Sequence, residues 1–429
     1  MRAFSASWAA LPFTLVALSS LNVVGCSDGG SGGATTPMGG SSSVSGSGGS
    51  VSGAAGSSSI AGSAGNALGG AGGVGGAAGG AGAGMGGAGG GGGAGDVSKC
   101  LVPVGTDDPP AMLSQTHCID MTAPAKPASG LIPYSVRSPL WSDNAAKERF
   151  MSIPSGQKIH VLDCAAEADK CKAPGLGGTG EDDGHFDLPV GTVLVKNFSI
   201  EGKHIETRLL MNRDILGWVG YSYEWNTEQT EATLLPDDST GKDKPVGTGT
   251  QVWHYPSRSE CFKCHTQYAG TSLGPSTAQL NSDFAYAEGS MNQLEKLKTL
   301  GVFDNAPKTI VGLPDPFGAD PLPDRARSYI QANCAMCHRP GGEFSSIDMR
   351  FQTTLTDSKM CETAERDNGK VPVYRLTPGK PAESGMSFRM HALDMLRMPK
   401  VGSKVVDDKG AKLVDDWITS LQPDACPPR

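Results

Sequence analysis

The sequence predicts an α+β multidomain protein, in which a disordered Gly/Ser/Ala linker is followed by a β-rich domain and then by mostly α-helical segments. Three observations support this prediction. Residues 27–98 are of low complexity, apolar and aromatic residues alternate near residue 220, and apolar residues recur at helical spacing towards residue 420. The chain has 429 residues, which is enough for two or three domains.

The first 26 residues have the features of a bacterial export signal. Arg2 supplies a basic start, and residues 9–18 form an apolar run that is too short to span a bilayer. The sequence Val-Val-Gly-Cys at 23–26 resembles the lipobox of bacterial lipoproteins, in which the Cys receives a lipid. We therefore predict a signal peptide over residues 1–25 and lipidation of Cys26. The alternative is an ordinary signal peptide with a Cys nearby.

Residues 26–98 are predicted to be a disordered tether. About half of the chain's 60 glycines fall in this stretch, so no apolar face can form to offset the entropy of ordering. A Gly-rich coil of this length spans roughly 45 Å. No later apolar run reaches membrane length, so the lipid is the predicted membrane attachment. The formal net charge of −8 argues against a nucleic-acid partner.

Residues 99–245 are predicted to form a β-rich domain, with a sandwich as one possible arrangement. Residues 191–198 and 205–211 read as two strands, and Glu201 and Gly202 between them can form a turn. Aromatic residues then occupy the alternate positions Tyr221, Tyr223 and Trp225, which is the period of a strand.

A C-x-x-C-H motif lies in the next stretch, residues 246–316. Cys261 and Cys264 are separated by Phe and Lys and are followed by His265. Cysteines at i and i+3 lie on one face of a helical turn and can bond the two vinyl groups of one porphyrin. The next residue then lies under the iron as its proximal ligand. We therefore predict that this first haem segment carries one covalent haem, docked against the β-rich domain.

The same pattern recurs in residues 317–429, the second haem segment, with Cys334, Cys337 and His338. Three other interpretations compete with haem, namely redox disulfides, structural disulfides and one zinc ion shared by the two pairs. The disulfide interpretations leave the histidines unexplained. The two motifs lie about 70 residues apart, which exceeds the usual spacing of zinc ligands. The pattern therefore predicts two haem c groups.

Helical patterns flank both motifs. In the first segment, Ser290 is a candidate N-cap for a helix in which Leu294, Leu297 and Leu300 recur, and Gly301 ends the run. In the second segment, residues 324–334 read as a helix that starts after Pro323. A final amphipathic stripe contains Leu413, Val414, Trp417, Ile418 and Leu421. This order of helix, motif and final helix resembles that of small cytochromes c, in which the first and last helices pack together beside the haem.

Met398 is the predicted distal ligand of the second haem. Pro399 fixes the backbone after it and suits a loop that presents a thioether to the iron. Three methionines nearby are rival candidates: Met386, Met390 and Met395. For the first haem, the alternatives left open are His254, Met291 or no distal ligand.

Six cysteines remain once the motifs and Cys26 are set aside from the total of 11. An even number in an exported protein predicts three disulfides. Proximity in the sequence favours three pairs: Cys164 with Cys171, Cys100 with Cys118, and Cys361 with Cys426.

Several stretches resemble a family of uncharacterised, exported bacterial diheme c-type cytochromes. They are residues 131–143, 188–196, 206–211, 217–226, 255–261, 332–342 and 397–399. Together they span about 130–420, and the resemblance implies two haems and export but no substrate. Lys400 departs from the family pattern, where a second Pro often follows Met-Pro, which puts the rigidity of this loop in doubt.

Three functions follow as hypotheses. The first is a membrane-tethered diheme cytochrome that transfers electrons between periplasmic or membrane redox proteins. The second is a diheme oxidoreductase of the peroxidase type, which needs one open haem iron. The third is a docking protein whose β-rich domain carries the specificity. The haem-free region before the first motif argues against the second hypothesis.

Overall fold

The computed structural model describes residues 100–122, 125–167, 171, 184–249, 251–307, 310–364 and 369–428. The predicted signal peptide, the lipid site at Cys26 and the linker over residues 26–98 lie outside these residues. Among the described residues, no helix is both long enough and apolar enough to cross a membrane. The domain boundaries at 99–245, 246–316 and 317–429 stay predictions.

The described strands form one six-stranded antiparallel sheet and four two-stranded sheets. The large sheet has the order β10-β9-β8-β7-β4-β3, so consecutive long strands lie side by side as hairpins. In chain order the strands are β1 (Ile119–Asp120), β2 (Lys126–Pro127), β3 (Ile132–Tyr134), β4 (Ala146–Ser152), β5 (His160–Val161), β6 (Phe186–Asp187), β7 (Val193–Ile200), β8 (Lys203–Arg213), β9 (Gly217–Trp225), β10 (Ala232–Leu234), β11 (Lys242–Pro245), β12 (Val252–Tyr255), β13 (Asp283–Tyr286) and β14 (Gly289–Asn292).

The predicted β-rich region is confirmed, including the hairpin of β7 and β8 and the aromatic strand β9. Glu201 and Gly202 make the turn, and both have positive φ angles, which suit a tight hairpin. A sandwich of two large sheets is not found among the described residues. A single large sheet is covered on both faces instead.

The two faces of the large sheet bury different clusters. One face carries the alternating residues Val195, Leu209 and Tyr221, which pack under the stretch around Leu113. The opposite face carries Leu194 and Leu210. On that face the cluster also includes residues of the first haem segment, namely Leu280, Leu297 and Val302. Residues 246–316 and the sheet therefore share one hydrophobic core, and the docking of a haem there stays a prediction.

The first haem segment contains three short helices: α1 (Arg258–Cys261), α2 (Thr277–Leu280) and α3 (Gln293–Thr299). Ser290 does not start a helix. It lies in β14, and the side chain of Asn292 caps α3 by accepting a hydrogen bond from Leu294 N. Gly301 follows the helix end with a φ angle of 65°, as expected for a residue that terminates a helix.

The second haem segment contains α4 (Leu322–Asn333), α5 (Gly385–His391) and α6 (Asp408–Ser420). The predicted first and last helices are confirmed. Between them, most described residues lie in turns and irregular loops. The prediction that the two haem segments are mostly α-helical is therefore wrong. Loops without hydrophobic periodicity surround the motifs.

Helices α4 and α6 pack directly against each other. Tyr329 and Ile330 of α4 and Val414 and Trp417 of α6 belong to one buried cluster. Gly410 permits the close crossing, since a Cβ atom there would lie 2.3 Å from the Tyr329 ring. The Tyr329 hydroxyl also donates a hydrogen bond of 2.9 Å to Asp407 at the start of α6. The predicted helix pair is thus present.

All three predicted disulfides are confirmed. Cys100 bonds Cys118, Cys164 bonds Cys171, and Cys361 bonds Cys426. The four cysteines of the two C-x-x-C-H motifs are free thiols. The intramotif disulfides considered for these pairs are therefore not formed.

Candidate functional site

The first motif is a single helical turn that follows α1. Ser257 and Glu260 cap α1 reciprocally, with the Ser257 side chain accepting from Glu260 N and the Glu260 side chain accepting from Ser257 N. The Cys261 carbonyl then accepts hydrogen bonds from the backbone N–H groups of Cys264 and His265, at 3.3 Å and 3.0 Å. The capped turn therefore orients both cysteines and the histidine together.

The second motif repeats this geometry at the end of α4. The Cys334 carbonyl accepts from the backbone N–H groups of Cys337 and His338, at 3.1 Å and 3.0 Å. Cys334 N itself donates to Ile330 O at 2.9 Å, which joins the turn to the helix. The predicted helical turn is confirmed in both motifs.

His265 is held in one tautomer. Its Nδ1 atom lies 2.6 Å from the Thr271 carbonyl oxygen. A carbonyl only accepts, so Nδ1 carries the proton and Nε2 keeps a free lone pair. Burial lowers the pKa of His265 to about 4, against the opposing effect of the Thr271 hydrogen bond. A neutral imidazole with a free Nε2 is what an iron ligand requires.

His338 is also buried and neutral. Burial lowers its pKa to about 4, and the nearby cations Arg375, Arg389 and Lys400 act in the same direction. Its ring stacks on Phe344 with the centroids 5.3 Å apart. Its Nδ1 atom is buried without a hydrogen-bond partner. A buried ring nitrogen without a partner is costly.

Both motifs line one cavity of about 400 Å³, which we call the large cavity. This volume lies in the range of cofactor pockets, roughly 300–1,000 Å³. Its lining includes every predicted haem-binding residue: Cys261, Cys264, His265, Cys334, Cys337, His338 and Met398. The structure thus brings together residues that are far apart in the sequence. The donor set, the neutral imidazoles and the cavity fit haem c.

The two motifs touch. The Cys264 and Cys337 thiols lie near enough to shift each other's pKa, which is raised for Cys264 and lowered for Cys337. The Cys337 thiol also lies 3.4 Å from the Lys263 carbonyl oxygen. The two motifs are therefore close in space, and their separation in the sequence no longer argues against a shared zinc ion.

A shared zinc site is nevertheless not supported. In the part of the chain that the structure describes, no group of three or more His, Cys, Asp or Glu side chains is arranged to hold a metal ion. Structural zinc requires four such ligands, whereas a haem iron takes one or two from the protein. The finding concerns sites with three or more such ligands and does not bear on a haem iron.

Met398 lies in a loop that is bonded to α5. Its backbone N–H donates to Arg389 O at 2.9 Å, and the Arg389 guanidinium donates to Leu396 O at 3.3 Å. Its rivals Met386, Met390 and Met395 line the same large cavity. Met386 belongs to the buried core and Met395 is 89% exposed. Met398 is half-buried on the loop and stays the predicted ligand.

Neither candidate for the distal ligand of the first haem is free to serve. His254 lines the large cavity, but its Nδ1 lies 2.6 Å from Asp243 and its Nε2 lies 2.9 Å from Glu260. Met291 lies in the exposed hairpin strand β14 and lines neither of the two cavities beside His265. Neither residue is placed for iron ligation in this structure, and the distal ligand of the first haem stays a prediction.

A second cavity of about 160 Å³, the small cavity, lies beside Cys261 and His265. Its lining includes Arg149, Lys196 and Arg208 from the large sheet, and sequence reasoning missed these residues. Burial and the cations Arg149, Lys147 and Arg208 push the pKa of Lys196 well below its usual range. A lysine within the apolar run of residues 193–200 was the signal that could have revealed this feature.

Replacing Gly220 with Ala should disturb the first motif, because the added Cβ would lie 2.7 Å from Cys261 Sγ. We expect denaturant titration to give a free energy of unfolding that is lower by about 1–3 kcal/mol, as for other overpacked sites. Mass spectrometry should show less haem at the first motif than at the second. Gly249→Ala is the control, since a Cβ there meets no atom within 4 Å. Equal effects of the two variants would contradict this account.

Comparison with protein families, with characterised proteins and with solved structures finds no match to this chain. The resemblance to exported diheme cytochromes therefore stays a prediction.

Proposed function

We propose that this protein is an exported, lipid-tethered diheme c-type cytochrome that transfers electrons between periplasmic or membrane redox proteins. One observation carries the proposal. Two C-x-x-C-H motifs from distant parts of the chain form matching helical turns, line one cavity and touch where the Cys337 thiol meets the Lys263 carbonyl oxygen at 3.4 Å. Electron tunnelling weakens steeply with distance, so contact between two attachment points favours electron exchange between the groups they hold.

Each residue has a role in this proposal. Cys261, Cys264, Cys334 and Cys337 hold the two porphyrins through thioether bonds, and His265, His338 and Met398 ligate iron. The bound haem supplies an iron that gains or loses one electron. The chain keeps both imidazoles neutral by burial and fixes the tautomer of His265 through Thr271.

The predicted export and tether agree with this role. Three disulfides suit an oxidising compartment, where c-type haem is attached. The predicted lipid at Cys26 and the linker over residues 26–98 would keep the folded part near membrane partners. The resemblance to exported diheme cytochromes points the same way.

Electron transfer from the reduced holoprotein tests the proposal. The protein is produced in a host that attaches c-type haem, reduced, and mixed with an oxidised, basic, soluble c-type cytochrome in a stopped-flow instrument. We expect both haems to reoxidise, with a rate that falls as salt rises, because the chain is acidic. A protein that is colourless after denaturation, or one whose haems stay reduced, would overturn the proposal.

A peroxidase-like oxidoreductase is the second candidate, and one observation favours it. His254 is held by two carboxylates and Met291 lies outside both cavities, so neither closes the iron that His265 would ligate. Carbon monoxide binding to the reduced protein together with catalytic peroxide consumption would favour this enzyme. If neither reagent changes the haem absorption spectrum, electron transfer remains the proposed function.

A further inference from the structure

Three cations stand in one row across the large sheet. Arg149 of β4 pairs in register with Lys196 of β7, and Lys196 pairs with Arg208 of β8. Directly paired residues of antiparallel strands point to the same face. The face is the one that carries Leu194 and Leu210, and all three cations line the small cavity beside His265.

This arrangement is unfavourable without a counter-charge. Like charges directly opposite each other on adjacent strands repel, and burial strengthens the repulsion. Arg208 has a carboxylate partner, since its guanidinium makes two hydrogen bonds to Glu206, at 3.0 Å and 2.8 Å. Trp253 also donates to Glu206, at 3.0 Å, so this carboxylate is already engaged.

Arg149 and Lys196 differ from Arg208 in this respect. Among the residues the structure describes, no carboxylate forms an ion pair with either side chain. The Lys196 ammonium lies 5.0 Å from the centre of the Phe198 ring, and Arg149 faces Tyr134 across the strand pair. Neither contact supplies a negative charge. An anion in the small cavity would neutralise the row.

We propose that Arg149, Lys196 and Arg208 form a half-buried binding site for a carboxylate or another oxyanion. The proposed function supplies one source, because haem carries two propionate carboxylates and the small cavity is lined by Cys261 and His265 of the first motif. This source rests on the proposed function. The other source is a free oxyanion, for which inorganic phosphate is a suitable probe. Arginine and lysine are the side chains that bind such groups.

The first arm of the test uses the holoprotein and the variants Lys196→Met and Arg149→Met. We expect each variant to shift the propionate bending band in the resonance Raman spectrum of the first haem and to lower its reduction potential. Lys196→Arg, which keeps the charge, should restore both. Lys203→Met is the matched control, because Lys203 is an exposed lysine on the same sheet. A lower reduction potential alone shows only that a charge near the haem was lost. A shift of the propionate band shows that the side chain contacts the propionate.

The second arm titrates inorganic phosphate into the wild type and the same variants by calorimetry. If phosphate binding weakens at least tenfold in Lys196→Met and the propionate band does not change, the ligand of the site is a free oxyanion. The haem propionates are then excluded as its ligand. The proposal of an anion site would be overturned if the propionate band is unchanged in every variant and phosphate binding is equal, or absent, in the wild type and all variants. If the chain carries no haem but the wild type binds phosphate at this row, the site stands while the proposed cytochrome function fails.

Discussion

Replacing Cys261 and Cys264 together with Ala is expected to leave the protein with one covalent haem instead of two. The thioether bonds require both thiols, and the free state of these cysteines leaves them available for attachment. After denaturation, the haemochrome absorbance per chain should fall by half. Intact mass should fall by the mass of one haem, apart from the lost sulfur atoms. The matching change at Cys334 and Cys337 should remove the other haem.

The control is a pair of cysteines of a different kind. Cys164 and Cys171 form a disulfide seven residues apart in the sequence, away from both cavities. Replacing both with Ser should leave two haems attached. If this variant also loses haem, attachment depends on the fold as a whole. If the Cys261 and Cys264 variant keeps the mass of two haems, the assignment of the first motif is wrong.

Local patterns gave correct predictions where a few neighbouring residues decide the structure. The alternation of Tyr221, Tyr223 and Trp225 predicted β9, and the stripe containing Trp417 and Ile418 predicted α6. The disulfide between Cys164 and Cys171 followed from proximity, since these two cysteines can meet without a long loop closure. In each instance, periodicity or short separation left few alternatives.

The sequence predicted too much helix because a C-x-x-C-H motif requires only one helical turn. Leu294 and Leu297 are spaced as in a longer helix, but residues 283–292 form a hairpin whose turn contains Gly289. That glycine has a φ angle of 130°, which other residues rarely adopt, and the turn displaces the start of α3 beyond Ser290. Turn chemistry prevailed over apolar spacing at this point.

The arrangement of the site could not be predicted from the sequence. The contact between Lys263 and Cys337 depends on how distant parts of the chain pack, which no local pattern encodes. The row of Arg149, Lys196 and Arg208 depends on strand register, and a shift of one residue would move a cation to the other face. Local spacing identified the residue types for haem attachment, while register and packing determine what surrounds them.

Replacing Met398 with Ala is expected to lower the reduction potential of one haem strongly and to leave the other unchanged. A methionine thioether favours the reduced iron, so its loss destabilises that state. Axial ligands set haem potentials over a range of about 0.8 V, and we expect a fall on the order of 0.1 V or more. A spectroelectrochemical titration resolves the two haems. The weak near-infrared band of methionine bound to ferric iron should disappear as well.

The neighbouring methionines decide whether this effect is specific. Met395 is 89% exposed and lines the same cavity. Met395→Ala should therefore change the reduction potential of either haem by only a small fraction of the change that Met398→Ala causes. Met390 packs at the edge of the core, and Met390→Ala should lower stability more than it lowers potential. A large potential shift and loss of the near-infrared band in the Met390 variant, with Met398→Ala unaffected, would instead assign the ligand role to Met390 of α5.

Because the Met398 backbone is hydrogen-bonded to Arg389 of that helix, the loop remains in place when the side chain is removed. The Met398→Ala result therefore reports ligation and not a displaced loop.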